Sequence, residues 1–129
     1  MNLAYVDASA LTKLVLDEPW SAAMRRWYVE AERVACSVVG LVETRRAVVR
    51  RDGDRRNLDL VLRSVVGLEL DSFVIQTAAA LRPASLRTLD AIHLASAQGL
   101  ASELEAFVTY DDRLAEAARA VGLPVVRPA

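Results

Sequence analysis

Five acids stand where a carboxylate could do chemistry: Asp7, Glu43, Asp90 and the adjacent pair Asp111 and Asp112. Asp7 closes the apolar run Leu3-Ala4-Tyr5-Val6 and is followed by Ala8-Ser9, so either Asp7 or Ser9 can cap a helix that starts there. Glu43, in Leu41-Val42-Glu43-Thr44-Arg45-Arg46, lies one turn after Val39 and one before Ala47. It borders an apolar stripe, a place that suits a solvated glutamate or one turned towards a site. Asp90 is harder to leave idle. Its segment, Leu89-Asp90-Ala91-Ile92-His93-Leu94-Ala95, is apolar on nearly every face, and a buried carboxylate without a partner costs several kcal/mol or takes up a proton. Arg87, one turn earlier, can supply an ion pair; a metal ion is the alternative, and His93, one turn later, reads as a satisfied polar residue at the rim of the core. Asp111 and Asp112 follow Val108-Thr109-Tyr110; one of them can cap a helix, which leaves the other to face a site.

Carboxylates brought to one place repel, and in a shared site one of them is driven to hold its proton. A hard divalent cation, Mg²⁺ or Mn²⁺, resolves that conflict, because it prefers carboxylate oxygens and keeps several waters. Such an ion lowers the pKa of a bound water and clamps a phosphate oxygen, which equips a site for in-line hydrolysis of a phosphodiester. Competing chemistries drop out. Cys36 and His93 are each alone, so no cysteine or multi-histidine zinc site can form within the chain. The five glycines are too dispersed for a dinucleotide or phosphate loop, and no Gly-x-Ser-x-Gly elbow exists. The first strand ends Asp7-Ala8-Ser9 rather than Asp-x-Asp, and the sole lysine, Lys13, is far from the last strand. Those two facts remove carboxylate-nucleophile phosphatases and receiver domains.

The elements that must hold these acids are legible as punctuation. Short apolar runs at 3–6, 34–36, 68–70, 106–108 and 124–126 predict strands. Between them, helical spacing predicts helices over 9–16, from Pro19 to about 31, from a Ser37 cap to 51, over 55–66, over 73–81 with Ser72 as cap, over 86–100 and over 113–121. Strands separated by helices, with no hairpin turns, predict a parallel sheet covered on both faces. Ligands bind such sheets at the carboxyl ends of the strands, where Asp7 and Asp111 fall. The 129 residues, 53% hydrophobic and 26% charged, predict one domain, 1–129, with a real core. The formal charge of −1 argues against a binder driven by basic tails. The opening Met1–Asp7 stretch lacks a signal peptide's pattern and no run approaches a membrane span, so a soluble, reduced, cytoplasmic protein is expected.

Asp7-Ala8-Ser9-Ala10-Leu11 after the first strand resembles the opening of PIN-domain nucleases. Leu89-Asp90-Ala91-Ile92-His93-Leu94-Ala95 and Val108-Thr109-Tyr110-Asp111-Asp112-Arg113-Leu114 resemble the VapC type of toxin nuclease, and Glu43 in a helix after the second strand completes the pattern. The resemblance spans the whole chain in length and element order. It implies a three-layer α/β/α fold with a five-stranded parallel sheet. It also implies that Asp7, Glu43, Asp90 and Asp111 form an acidic quartet that binds Mg²⁺ or Mn²⁺ and cuts RNA, leaving 5′-phosphate and 3′-hydroxyl ends. Thr109 matches a hydroxyl residue that orients such a site; Ser9 and Asp112 are further supporting candidates, Asp112 as the alternative fourth acid. A cognate antitoxin protein and a homodimer are implied partners. The rival readings are a PIN-like RNA-binding module without catalysis and a nuclease acting on DNA.

Between residues 45 and 63, seven arginines face three aspartates, an excess of four positive charges in a chain that is otherwise acidic. This stretch reads as a solvated helical hairpin or as a phosphate-guiding surface beside Glu43. Trp20 and Trp27, seven residues apart, read as a packing stripe, although they and Tyr28 could stack bases. Leu14, Val15, Trp20, Met24 and Trp27 could line a groove for a partner helix, or pack in the core.

Overall fold

A computed structural model describes residues 3–129; Met1 and Asn2, the first residues of the opening stretch, lie outside the described residues. The chain begins with β1 (Leu3–Val6), α1 (Ala8–Val15), α2 (Ser21–Glu30), β2 (Arg33–Ser37), α3 (Val38–Arg50) and α4 (Arg55–Arg63). It continues through β3 (Val66–Leu68), α5 (Ser72–Ala80), α6 (Thr88–Gln98), β4 (Leu104–Val108), α7 (Asp112–Ala120) and β5 (Val125–Val126). The five strands form one sheet in the order β3-β2-β1-β4-β5, with every pairing parallel. Parallel neighbours need helical crossovers, which is why apolar runs without hairpin turns lead to this architecture.

Alternation along the central strands sorts the side chains into two cores. Ala4 and Val6 of β1, Val34 and Cys36 of β2, and Ala106 and Val108 of β4 join Leu11 and Leu14 of α1, Met24 of α2, Val48 of α3 and Leu58 and Leu62 of α4. Tyr5 and Phe107 point the other way, onto Leu94 and Ala97 of α6 and Leu114 and Ala118 of α7. Their rings stack across the β1–β4 pairing, with centroids 5.3 Å apart and planes 7° from parallel. The result is the expected α/β/α sandwich with β1 at its centre.

Several boundaries differ from the sequence reading. The third strand lies at 66–68 rather than 68–70, and the helix before it stops at Arg63 instead of 66. The strand is a half-exposed sheet edge, so burial imposes no pattern on it, and the pairing of Val66 with Ala35 sets its register. Pro19 precedes α2 rather than opening it; Trp20 sits at φ +72° in the left-handed region, and Ser21 begins the helix. The Ser21 hydroxyl donates to the Leu16 carbonyl (2.9 Å) and accepts from the Glu18 amide (2.9 Å), pinning this turn. Asp71, not Ser72, caps α5, accepting from the Val74 amide at 2.9 Å. The sixth helix is shorter than expected, 88–98 instead of 86–100. Leu14 and Met24 are buried in the core and line no external groove, whereas Trp20 is exposed and belongs to no packing stripe. No helix among the described residues is long and apolar enough to cross a membrane.

Candidate active site

The carboxyl ends of β1 and β4 lie side by side, with Val6 opposite Val108, so the residues that follow them meet. Asp7 caps α1, accepting from the Ala10 amide at 3.0 Å, and is buried. Its Oδ1 also accepts from the Ser9 hydroxyl at 2.7 Å, and its Oδ2 from the Thr109 hydroxyl at 2.6 Å. Among the described residues no basic side chain pairs with Asp7. Burial therefore pushes its carboxyl above the ordinary value, against the opposing pull of nearby His93 and of these donors. Ser9 and Thr109 are clasps as well as donors. The Ser9 hydroxyl accepts from the Tyr110 amide (2.8 Å) and that of Thr109 from the Asp111 amide (3.1 Å), which ties α1 to the segment after β4.

Asp90, in the first turn of α6, is buried with Arg87 as its partner: Nε donates to Oδ2 at 3.3 Å. The same guanidinium reaches Asp111 Oδ2 at 3.7 Å, so Arg87 bridges the two acids. Asp111 is the cap of α7, its Oδ1 accepting from the Arg113 and Leu114 amides at 2.9 and 3.1 Å. The capping acid is thus the one turned towards the site. Asp112, the alternative fourth acid, is 89% exposed and pairs with Arg127 at 2.7 Å. Glu43 on α3 accepts from His93 Nε2 at 2.8 Å and lines a 420 Å³ cleft with Ser9, Thr12, Leu89, Arg46 and Arg50.

These contacts link Asp7, Asp90 and Asp111 through Thr109 and Arg87, while Glu43 is held separately by His93, and the four acids do not converge. Among the described residues no three His, Cys, Asp or Glu side chains stand together as a metal-binding group. The donor chemistry nonetheless fits a hard divalent ion. The set is carboxylate oxygen only, the buried Asp7 makes no ion pair among the described residues, and a cationic side chain already stands between Asp90 and Asp111. Sequence reasoning found the Arg87–Asp90 pair but missed the reach of Arg87 to Asp111 and the partners of His93. Helical spacing could have placed His93 with Asp90, and strand alternation could have placed Tyr5 on the face of Asp7.

A parallel α/β/α domain with acids at the carboxyl edge of its central strands defines the class, and the chain belongs to it: the PIN domain family model matches residues 4–120. Within that family the chain is similar to Ribonuclease VapC47 of Mycobacterium tuberculosis (strain CDC 1551 / Oshkosh), 41% identical over 98% of this chain and 97% of that protein. It is also similar to Ribonuclease VapC46 of M. tuberculosis (strain ATCC 25618 / H37Rv), at 39% over 99% of each. Its fold matches the crystal structure of M. tuberculosis VapC20, described as a sarcin-ricin loop cleaving toxin. There the TM-score is 0.74 and the identity 18%, over 97% of this chain and 99% of that one. A toxin–antitoxin complex from Klebsiella pneumoniae matches with TM-score 0.72 and 22% identity, over 98% of each chain. Ribonucleases of the VapC type are generally dependent on a divalent metal.

Proposed function

We propose that this chain, one PIN-like domain over 1–129, is a cytoplasmic metal-dependent endoribonuclease, the toxin component of a toxin–antitoxin pair. The observation that carries this reading is the buried, cation-free Asp7 carboxylate, held by Ser9 and Thr109 where two central strands end. Asp7, Asp90 and Asp111, with Glu43 directly or through water, would hold Mg²⁺ or Mn²⁺, which when bound supplies an activated water and a clamp on a phosphate oxygen. The remaining work belongs to the chain. Ser9 and Thr109 orient Asp7, Arg87 keeps Asp90 and Asp111 charge-balanced in the metal-free protein, and Arg46 and Arg50 present positive charge beside Glu43 for the flanking phosphates. The fold neighbours include toxin–antitoxin complexes, and we extend an antitoxin partner to this chain, along with a homodimer.

The test is cleavage of matched RNA and DNA oligonucleotides by purified protein with Mg²⁺, with Mn²⁺ or with a chelator. RNA should be cut to 5′-phosphate and 3′-hydroxyl ends only when metal is present, and Asp90→Asn should abolish cutting. Chelator-resistant cleavage, preferential cutting of DNA, or full activity in Asp90→Asn would each defeat the reading. Sedimentation at micromolar protein tests the homodimer.

A further inference from the structure

A polar chain runs through the core and ends on Glu43, the acid that the contacts of Thr109 and Arg87 leave out. It starts at the end of β2, where the Ser37 backbone N–H donates to the Tyr5 hydroxyl at 3.1 Å. That hydroxyl lies 2.6 Å from His93 Nδ1, and His93 Nε2 lies 2.8 Å from Glu43 Oε1. Tyr5 is fully buried and His93 nearly so. The ring of His93 stands edge-on to Tyr5, 5.7 Å between centroids and 74° between planes. Gly40, one turn before Glu43 on α3, makes room for it: a Cβ there would come within 2.8 Å of His93 Cε1 and would also collide with Cys36 Sγ.

The donors determine the direction. A backbone amide can only donate, so the phenol oxygen accepts from Ser37 and has one proton left to give. Two acceptors lie within reach, the Cys36 sulfur and His93 Nδ1, and the imidazole nitrogen at 2.6 Å is much the stronger. A neutral imidazole that accepts at Nδ1 carries its proton on Nε2 and donates it to the carboxylate. A histidine bound to a metal ligand, its tautomer set by a further partner, is how outer residues fix ligand orientation in metal sites. Here the partner is a tyrosine anchored to the backbone of the central sheet.

We propose that Tyr5 and His93 are positioning residues for Glu43: the backbone-anchored Tyr5 selects the Nε2–H tautomer of His93, which holds one carboxylate oxygen of Glu43 and aims the other at the acid site. The role rests on the nuclease reading, because Glu43 matters only as a member of that site.

His93 is the chain's sole histidine, so its imidazole signals identify themselves in an ¹⁵N-labelled sample. In metal-free protein at neutral pH the proton should be on Nε2, and Tyr5→Phe should turn the single tautomer into a mixture. Mn²⁺ affinity, followed by the electron-spin-resonance signal of the free ion, should fall about 10- to 100-fold in His93→Leu, the usual effect of losing an outer partner. His93→Gln, which keeps an N–H aimed at Glu43, should recover most of that loss. In cleavage assays the variants should lower kcat and leave KM for RNA unchanged. A proton on Nδ1 in the parent protein overturns the proposal, as does wild-type Mn²⁺ affinity in folded His93→Leu and Tyr5→Phe. If the leucine variant fails to fold, the parent tautomer and Tyr5→Phe decide the matter. If the parent binds Mn²⁺ with the expected tautomer yet cuts no RNA, the nuclease reading fails while the positioning role stands.

Discussion

The carboxylate of Asp7 closes the first helix and also faces the site, and the two roles make opposite demands on stability. As a cap it accepts the Ala10 amide; as a buried anion without a cation it is held above its ordinary pKa of 3.8 by burial. A carboxyl whose folded pKa is raised contributes stability that is complete below the unfolded value and is lost as pH rises through the folded one. As pH rises above the ordinary carboxyl value, the metal-free protein therefore loses that contribution. Asp7→Asn keeps an oxygen for the cap and removes the charge. In chelator it should raise Tm, by a gain that grows as pH rises above 3.8, while in Mg²⁺ its RNA cleavage should disappear. A thermal-shift series across pH reads both signs; an Asn variant less stable than the parent at pH 7 would contradict the argument.

Helix α3 shows how an element converts a charge run into a surface. Of the arginines at its end, Arg45 pairs with Asp59 at 3.2 Å and Arg51 with Glu18 at 2.6 Å. Arg46 and Arg50, one turn apart, instead line the cleft beside Glu43, and among the described residues neither makes an ion pair. Ion pairing thus accounts for Arg45 and Arg51, and the phosphate-guiding role is proposed for Arg46 and Arg50 alone. Arg46→Ala with Arg50→Ala should flatten the logarithmic salt dependence of RNA binding by about 1.4 units, at roughly 0.7 per phosphate contact on single strands. Arg45→Ala should change it less, and fluorescence anisotropy across a salt series measures the difference.

Elements were legible where burial imposed a period and illegible where it did not. β1 was read to the residue because all four of its side chains are buried. β3, a three-residue edge beside solvent, was misplaced by two residues because neither face enforces a pattern. Caps were ambiguous for another reason: Asp71 and Ser72, like Asp111 and Asp112, are adjacent residues of equal capping chemistry, and only the chain's path chooses between them. The four proposed site acids stand out in the sequence because each sits beside a strand end, in an apolar helix or at the border of an apolar stripe. The Arg87–Asp90 pair follows from helical spacing, but the reach of Thr109 to Asp7, of Arg87 to Asp111 and of His93 to Glu43 depends on distances across elements, which no spacing encodes.

The molecule as a whole has two cores separated by a sheet one residue thick, and residues pointing into them differ sharply from those outside. Phe107 is fully buried and stacked on Tyr5, so Phe107→Ala should destabilise the protein by about 3–5 kcal/mol, as aromatic truncations in packed cores do. Val29, 84% exposed on α2, should tolerate alanine within about 0.5 kcal/mol. Urea denaturation followed by tryptophan fluorescence compares the two. An equal response would mean that the sheet does not divide the interior as described.

The strand order has a consequence for synthesis. Because β1 pairs with β4, Asp7 receives its hydrogen bond from a residue 102 positions later. On a translating ribosome, a nascent chain carries Asp7 and Glu43 through most of its elongation with neither Thr109 nor Asp111 yet made. The acids proposed for the site remain apart beside the RNA-rich machine that is making them. On the proposed reading, activity should begin only after the last quarter of the polypeptide has emerged and β4 has paired with β1, an interval in which an inhibitor could bind the growing chain.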